Sequence, residues 1–138
     1  MIVAIDGPAG SGKSSVAECV AESLGFHYLN SGRLYRAVTY WVLRNVRDPS
    51  DSASIVARLS ECDIRIEGTT VYLGDRRVDE QLHTDEVDAW VATHSAIREV
   101  RSMVNTMLHR FAREHNSVVE GRDITTVVFP NAEVKVYL

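Results

Sequence analysis

The order of hydrophobic segments predicts an α/β fold: a parallel sheet with helices on both faces and a small antiparallel β insert. Three observations carry this. Short apolar runs alternate with segments of helical period along most of the 138 residues. A Gly-rich turn joins the first apolar run to the first helical segment. The middle of the chain switches to alternating, period-2 runs separated by turn residues.

Residues 2–5 form the first strand, which stops at Asp6 and enters the Gly-rich turn. Val16, Val20, Ala21 and Leu24 recur at helical spacing, and Gly25 ends that helix. Phe26 to Leu29 is a second strand. Leu34, Val38, Trp41 and Val42 share one face of a helix running from about Arg33 to Arg47, which Asp48-Pro49-Ser50-Asp51 breaks. Residues 53–60 read as a short helix. Ile64 and Ile66, Val71 and Leu73, and Arg77 to Asp79 form a ribbon with turns at Gly68 and Gly74-Asp75. Thr84 opens a helical stretch in two pieces that reaches His115. Ser117 to Glu120 is a strand, Gly121 to Phe129 a loop, and Val134 to Leu138 a last strand. Ligands of such sheets sit at the carboxyl ends of the strands. A doubly wound sheet continues past this point with a helix and a strand. Residues 1–138 therefore read as a single domain incomplete at its C-terminus, with an insert over about 62–95.

Composition narrows the class. At 45% hydrophobic and 25% charged, the chain is ordinary globular protein, not a disordered segment. Fifteen basic against 19 acidic residues give a net charge of −4, which weighs against nucleic acid or an anionic membrane surface as partner. No early apolar run has the length of a signal peptide or membrane span. Cys19 and Cys62 form no disulfide framework, so a soluble protein of the reducing cytoplasm is expected. All basic residues but Lys13 and Lys135 are Arg, from codon preference or from a need for planar forks that bind phosphate. Tyr35, Tyr40 and Trp41 read as core, and the five His as surface or satisfied core.

The chemistry is concentrated in Gly7-Pro8-Ala9-Gly10-Ser11-Gly12-Lys13-Ser14, followed by Ser15. This fits G-x-x-x-x-G-K-[ST] in full, after a strand and at the start of a helix. In that context backbone N–H groups turn inward around phosphate oxygens and the helix N-terminus adds positive potential. Lys13 reaches the β- and γ-phosphates and Ser14 ligates a metal, so ATP and Mg²⁺ are the expected cofactors and a P-loop NTPase-type sheet is the expected fold. No Asn-Lys-x-Asp guanine motif is present, and the third main strand ends in Glu120-Gly121-Arg122-Asp123, not in the Asp or Asp-Glu of large ATPases. Small-molecule kinases remain.

Three stretches closely resemble bacterial cytidylate kinases: Ala4-Ile-Asp-Gly-Pro-Ala-Gly-Ser-Gly-Lys13, Asn30-Ser-Gly-Arg-Leu-Tyr-Arg36-Ala-Val-Thr, and Gly121-Arg-Asp-Ile-Thr-Thr-Val-Val-Phe-Pro130. The ribbon from Asp63 to Val78 also looks like that family's insert. The resemblance implies a transferase of pyrimidine nucleotide metabolism that uses Mg·ATP to phosphorylate CMP or dCMP, here as a cytoplasmic monomer. It places Ser31 and Arg36 at positions that hold the acceptor, Arg122 at a phosphate-binding position, and Arg101 with Asp123 at positions that recognise cytosine. Lys13, Arg36 and Arg122 form the implied catalytic set. The chemistry agrees, because Arg forks bind phosphate bidentately and Asp accepts from the cytosine N4 amino group. Uracil O4 would face that carboxylate acceptor to acceptor, a mismatch that discriminates by roughly 10⁴.

The chain departs from the family pattern at four places. Asn30 stands where Asp is common. Ala92 stands where a Ser contacts cytosine, with Ser95 one helical turn further on. Thr125 replaces a Gly. The family also continues into a mobile lid whose Arg residues clamp the transferring group, so residues 1–138 alone are expected to bind nucleotide but turn over poorly. Two other readings stay open: a P-loop kinase for another small acceptor such as UMP, and a nucleotide-binding module that does not catalyse.

Overall fold

The P-loop occupies the carboxyl end of a central strand. The computed structural model describes residues 1–138 and divides into two compact units, Met1–Ser31 with Asn105–Leu138, and Gly32–Val104. The first is built on a parallel sheet of β1 (Ile2–Asp6), β2 (His27–Asn30), β6 (Ser117–Gly121) and β7 (Val134–Tyr137), in the order β2-β6-β1-β7. β-Branched residues fill β1 and β6, as expected of parallel strands covered on both faces. Helix α1 (Lys13–Leu24) packs Ala17 and Ala21 against Val3, Ile5 and Val118. Their small side chains let helix and sheet approach closely. Register pairs Asp6 with Gly121 and Asn30 with Glu120, so three strands deliver their last residues to one end of the sheet.

The second unit contains most of α2 (Ser31–Asn45), α3 (Ser52–Arg58), an antiparallel ribbon β3 (Ile64–Glu67), β4 (Thr70–Leu73) and β5 (Arg76–Arg77), and α4 (Asp85–Ser95); α5 (Arg98–Glu114) begins in it. Ala37 of α2 packs with Val71, Val78 and Leu82. Capping fixes the helix starts: Asp51 accepts from Ser54 N–H at 3.2 Å and Thr84 from Val87 N–H at 3.3 Å.

The ribbon's last strand covers only Arg76–Arg77, whereas the sequence pattern ran to Asp79. Asp79 instead starts a 3₁₀ turn, with its carboxylate accepting from Val71 N–H at 3.1 Å and pairing with Arg33 and Arg77. Burial works against ionisation of Asp79, but these donors outweigh it and hold the carboxyl below its usual range. The segment expected as an irregular loop contains a π-helical turn, Ile124–Val128, in which Phe129 N–H donates to Ile124 C=O at 2.7 Å. Trp41 is core, as its spacing predicts, and no helix is long and apolar enough to cross a membrane.

Candidate active site

Within the first unit the site assembles from chain segments more than a hundred residues apart. The P-loop turns out of β1 through Ser11 N–H to Pro8 C=O at 3.2 Å and enters α1 at Gly12, whose φ of +83° is the left-handed conformation glycine adopts without penalty. Val16 N–H closes the first helical bond onto Gly12 C=O at 3.1 Å. The first N–H groups of α1 have no helical acceptor, and a helix N-terminus of this kind favours negative charge. Lys13 Nζ lies 3.4 Å from Pro8 C=O, folded back over its own loop. The Ser11 hydroxyl is buried without a hydrogen-bond partner.

Ser14, next along the loop, meets Glu120 from β6. Its hydroxyl donates to Glu120 Oε1 at 2.7 Å, and the Tyr28 hydroxyl of β2 donates to Glu120 Oε2 at 2.6 Å. Glu120 is only 2% exposed. A buried carboxylate needs such partners, since an unpaired one is strongly disfavoured. Burial first, and the neighbouring carboxylate second, push the Tyr28 phenol above its usual range, so it stays protonated and donating. Local sequence pattern does not single out Glu120 or Tyr28. The available signal was an acid at the end of an apolar strand, but strand order, which sets that acid beside Ser14, is not written in local pattern.

Asp6 is the second buried carboxylate, also 2% exposed. It accepts from Ile124 N–H and Thr125 N–H, both at 2.8 Å, and from the Thr125 hydroxyl at 2.6 Å. The residue before the P-loop thus ties down the turn that follows Arg122 and Asp123. Thr125 supplies two of these donors, its N–H and its hydroxyl. Asp123 C=O accepts from Val127 N–H at 2.9 Å and from Val128 N–H at 3.2 Å. Arg122 is exposed and Asp123 half-buried.

Ser31 belongs to the same unit. It is buried, and its hydroxyl donates to Glu120 C=O at 2.9 Å. The approach is so close that a Cβ on Gly121 would strike Ser31 Oγ and come within 2.8 Å of Ile124 Cγ1, so the position requires glycine.

The second unit carries Arg36 and Arg101. Arg36, on α2, donates through Nη1 to Leu82 C=O at 2.9 Å and to Asp88 Oδ1 at 2.6 Å. Arg101 is half-buried in the first turns of α5, with its N–H on Ile97 C=O at 3.1 Å. Ala92 is exposed on α4, and the Ser95 hydroxyl donates to Val91 C=O at 2.6 Å, leaving only its lone pairs for another donor. His94 is a satisfied core histidine: Nδ1 lies 2.9 Å from Thr39 Oγ1 and Nε2 2.8 Å from Pro49 C=O.

The sequence profile of the cytidylate kinase family matches residues 3–138. The chain is 44% identical to the cytidylate kinase of Carboxydothermus hydrogenoformans, covering 100% of this chain and 64% of that protein. It is 41% identical to the Shouchella clausii cytidylate kinase, over 99% of this chain and 62% of that protein. A bifunctional pantoate ligase/cytidylate kinase of Thermosynechococcus vestitus is 38% identical over 99% of this chain and 28% of its own length. The chain thus spans a little under two thirds of the single-function relatives, and over that span its sheet, its phosphate loop and its similarity from end to end agree: it belongs to the cytidylate kinase family.

Proposed function

We propose that the chain is the phosphate-loop and acceptor-binding part of a nucleoside monophosphate kinase that transfers the ATP γ-phosphoryl group to CMP or dCMP. The observation that carries this is the P-loop set against Glu120: a complete phosphate loop whose Ser14 hydroxyl is already oriented by a buried carboxylate. In the reaction a phosphate oxygen of CMP forms a bond to the γ-phosphorus while the bond to the β–γ bridging oxygen breaks, giving CDP and ADP. No general base is needed, because the attacking oxygen is anionic at neutral pH. Catalysis is positioning and charge neutralisation.

In this reading residues 7–15 wrap the ATP phosphates, and Lys13 leaves Pro8 C=O to meet the β- and γ-oxygens. The partnerless Ser11 hydroxyl gains an acceptor there. Mg²⁺ is held by few protein oxygens together with substrate phosphates. Ser14 Oγ and the Glu120 carboxylate, hard oxygen donors 2.7 Å apart, fit such an ion. Because Ser14 donates its proton to Glu120, its lone pairs are left for the metal, whose charge would offset that of the phosphates. Arg36 and Arg122 hold the acceptor phosphate and Ser31 the acceptor. Arg101 with Asp123 reads the base: the carboxylate takes the N4 amino protons and the guanidinium donates to O2 and N3.

The test is an ADP-release assay on the chain with CMP, dCMP and UMP, run beside equilibrium binding of each. Slow release is expected, with CMP and dCMP well above UMP. Nucleotide binding with no release selects the non-catalytic module, and equal rates with UMP select a broader kinase. Lys13→Ala should lower transfer by two or more orders of magnitude with an unchanged melting temperature. Full activity in that variant would move the donor site elsewhere.

A further inference from the structure

Arg36 is held by only one of its nitrogens. Its Nη1 donates to Leu82 C=O at 2.9 Å and to Asp88 Oδ1 at 2.6 Å, which engages both hydrogens on that atom. Nε–H and the Nη2 hydrogens are used by no other group of the protein. They lie on the side-on edge of the guanidinium, the edge that matches two oxygens of a phosphate.

Both anchors are firm. Leu82 is fully buried in the cluster around Ala37, so its carbonyl is fixed by the core. Asp88 sits in the first turn of α4, where its N–H bonds Thr84 C=O at 2.9 Å and Thr84 caps the helix. Asp85 and Glu86 share that turn, and any of the three acids would complement the helix dipole. Only Asp88 reaches Arg36.

From this we propose that Asp88 is a positioning residue: with Leu82 C=O it clamps Nη1 of Arg36 and presents the Nε–Nη2 edge as a preset fork for the acceptor phosphate. The proposal rests on the reading that Arg36 binds that phosphate. Its physical content is preorganisation. A free Arg loses rotamer freedom when it grips a ligand, whereas here the loss is already taken in the empty protein. Asp88 is half-exposed, with 53% of its side chain accessible, so its charge is solvated and leaves Arg36 attractive to a dianion.

The experiment is calorimetric titration of the full chain and three variants with CMP and with cytidine, which lacks the phosphate. Asp88→Asn should weaken CMP by about three- to fivefold, the upper range for a partly exposed ion pair. Cytidine binding should not change, and Asp88→Glu should recover CMP affinity to within about twofold. Arg36→Ala should weaken CMP more than tenfold. If Arg36→Ala leaves CMP affinity intact, the reading of Arg36 itself fails. If Arg36→Ala weakens CMP but Asp88→Asn does not, positioning by Asp88 alone fails. Tighter CMP binding by Asp88→Asn overturns the proposal in the other direction, making Asp88 a rival of the phosphate. Equal losses for CMP and cytidine would assign Asp88 a general structural role and overturn it as well.

Discussion

Replacing Asp6 by Asn probes the tie between the phosphate loop and the Arg122-Asp123 turn with the loss of one charge and almost no volume. In the native protein three donors converge on the carboxylate, from Ile124 N–H, Thr125 N–H and the Thr125 hydroxyl. An amide offers one acceptor oxygen and turns two N–H groups toward the rest. The Thr125 hydroxyl can rotate to accept from the new NH₂. One backbone N–H cannot, and is left facing a donor. A buried hydrogen bond to a charged group is worth about 1.5–3 kcal/mol, and Asp6 is 2% exposed, so little solvent screening reduces that figure. The variant should therefore lose about 1.5–3 kcal/mol, roughly 6–12 °C in melting temperature at ~4 °C per kcal/mol for a domain of this size. Thr125→Gly removes the hydroxyl donor and should cost less alone. The double variant should fall short of the sum, because both changes empty the same pairing. The assay is thermal unfolding followed by circular dichroism, with urea unfolding as a check on the slope. A loss below about 0.5 kcal/mol in Asp6→Asn, or strict additivity with Thr125→Gly, would refute the account of Asp6 as a charged clamp.

Asp123→Asn should weaken CMP by about 1.5–3 kcal/mol and relatively favour UMP, since an amide NH₂ can donate to uracil O4; an unchanged CMP/UMP ratio in binding titrations removes Asp123 from the base site. Gly121→Ala should cost about 1–3 kcal/mol by urea unfolding, as its methyl group meets Ser31 Oγ and the Ile124 side chain; wild-type stability would contradict the close approach. Burial pulls the His94 pKa below its ordinary value despite the bond to Pro49 C=O. The unfolded chain therefore takes up the proton first, so stability is full above about pH 6.5 and is lost as pH falls through the folded-state value. His94→Gln should flatten that dependence by as much as ~1.4 kcal/mol per pH unit, and an identical pH profile in the variant would exclude His94 as its source.

Much of the architecture was legible because its signals are local. The complete G-x-x-x-x-G-K-[ST] run fixed the phosphate loop between a strand and a helix, and Thr84 marked the start of α4 where its side chain caps it. The contacts that make the site specific were not legible, because they join residues remote in sequence. Ser14 and Glu120 are 106 positions apart, and Asp6 and Thr125 are 119 apart. Nothing in period or composition says that β6 inserts between β2 and β1. The stretch after Asp123 read as a loop because Thr and Val carry no helical signal there; its π-helical turn depends on a carboxylate at the other end of the chain. Asp88 is one acid among three in the first turn of α4, and only its bond to Arg36 sets it apart.

The division of the chain into an unbroken unit and a split one sets an order of events during synthesis. Gly32–Val104 is one continuous stretch, so every partner in its core has left the ribosome once residue 104 has emerged. The parallel sheet cannot begin so early: β1 has no neighbouring strand until Ser117–Gly121 appears, and its second neighbour arrives only with Val134–Tyr137. Sheets built from such distant pairings form slowly, and the intervening stretch must close as a loop before they are rewarded. Compaction of that segment would shorten the effective length of that loop. The phosphate loop, hung from the last residue of β1, thus gains its supports only after the Gly32–Val104 stretch has emerged. Capture of an immobilised nucleotide by stalled nascent chains should accordingly report the pairing of β1 with β6 and β7, not the appearance of the loop sequence itself.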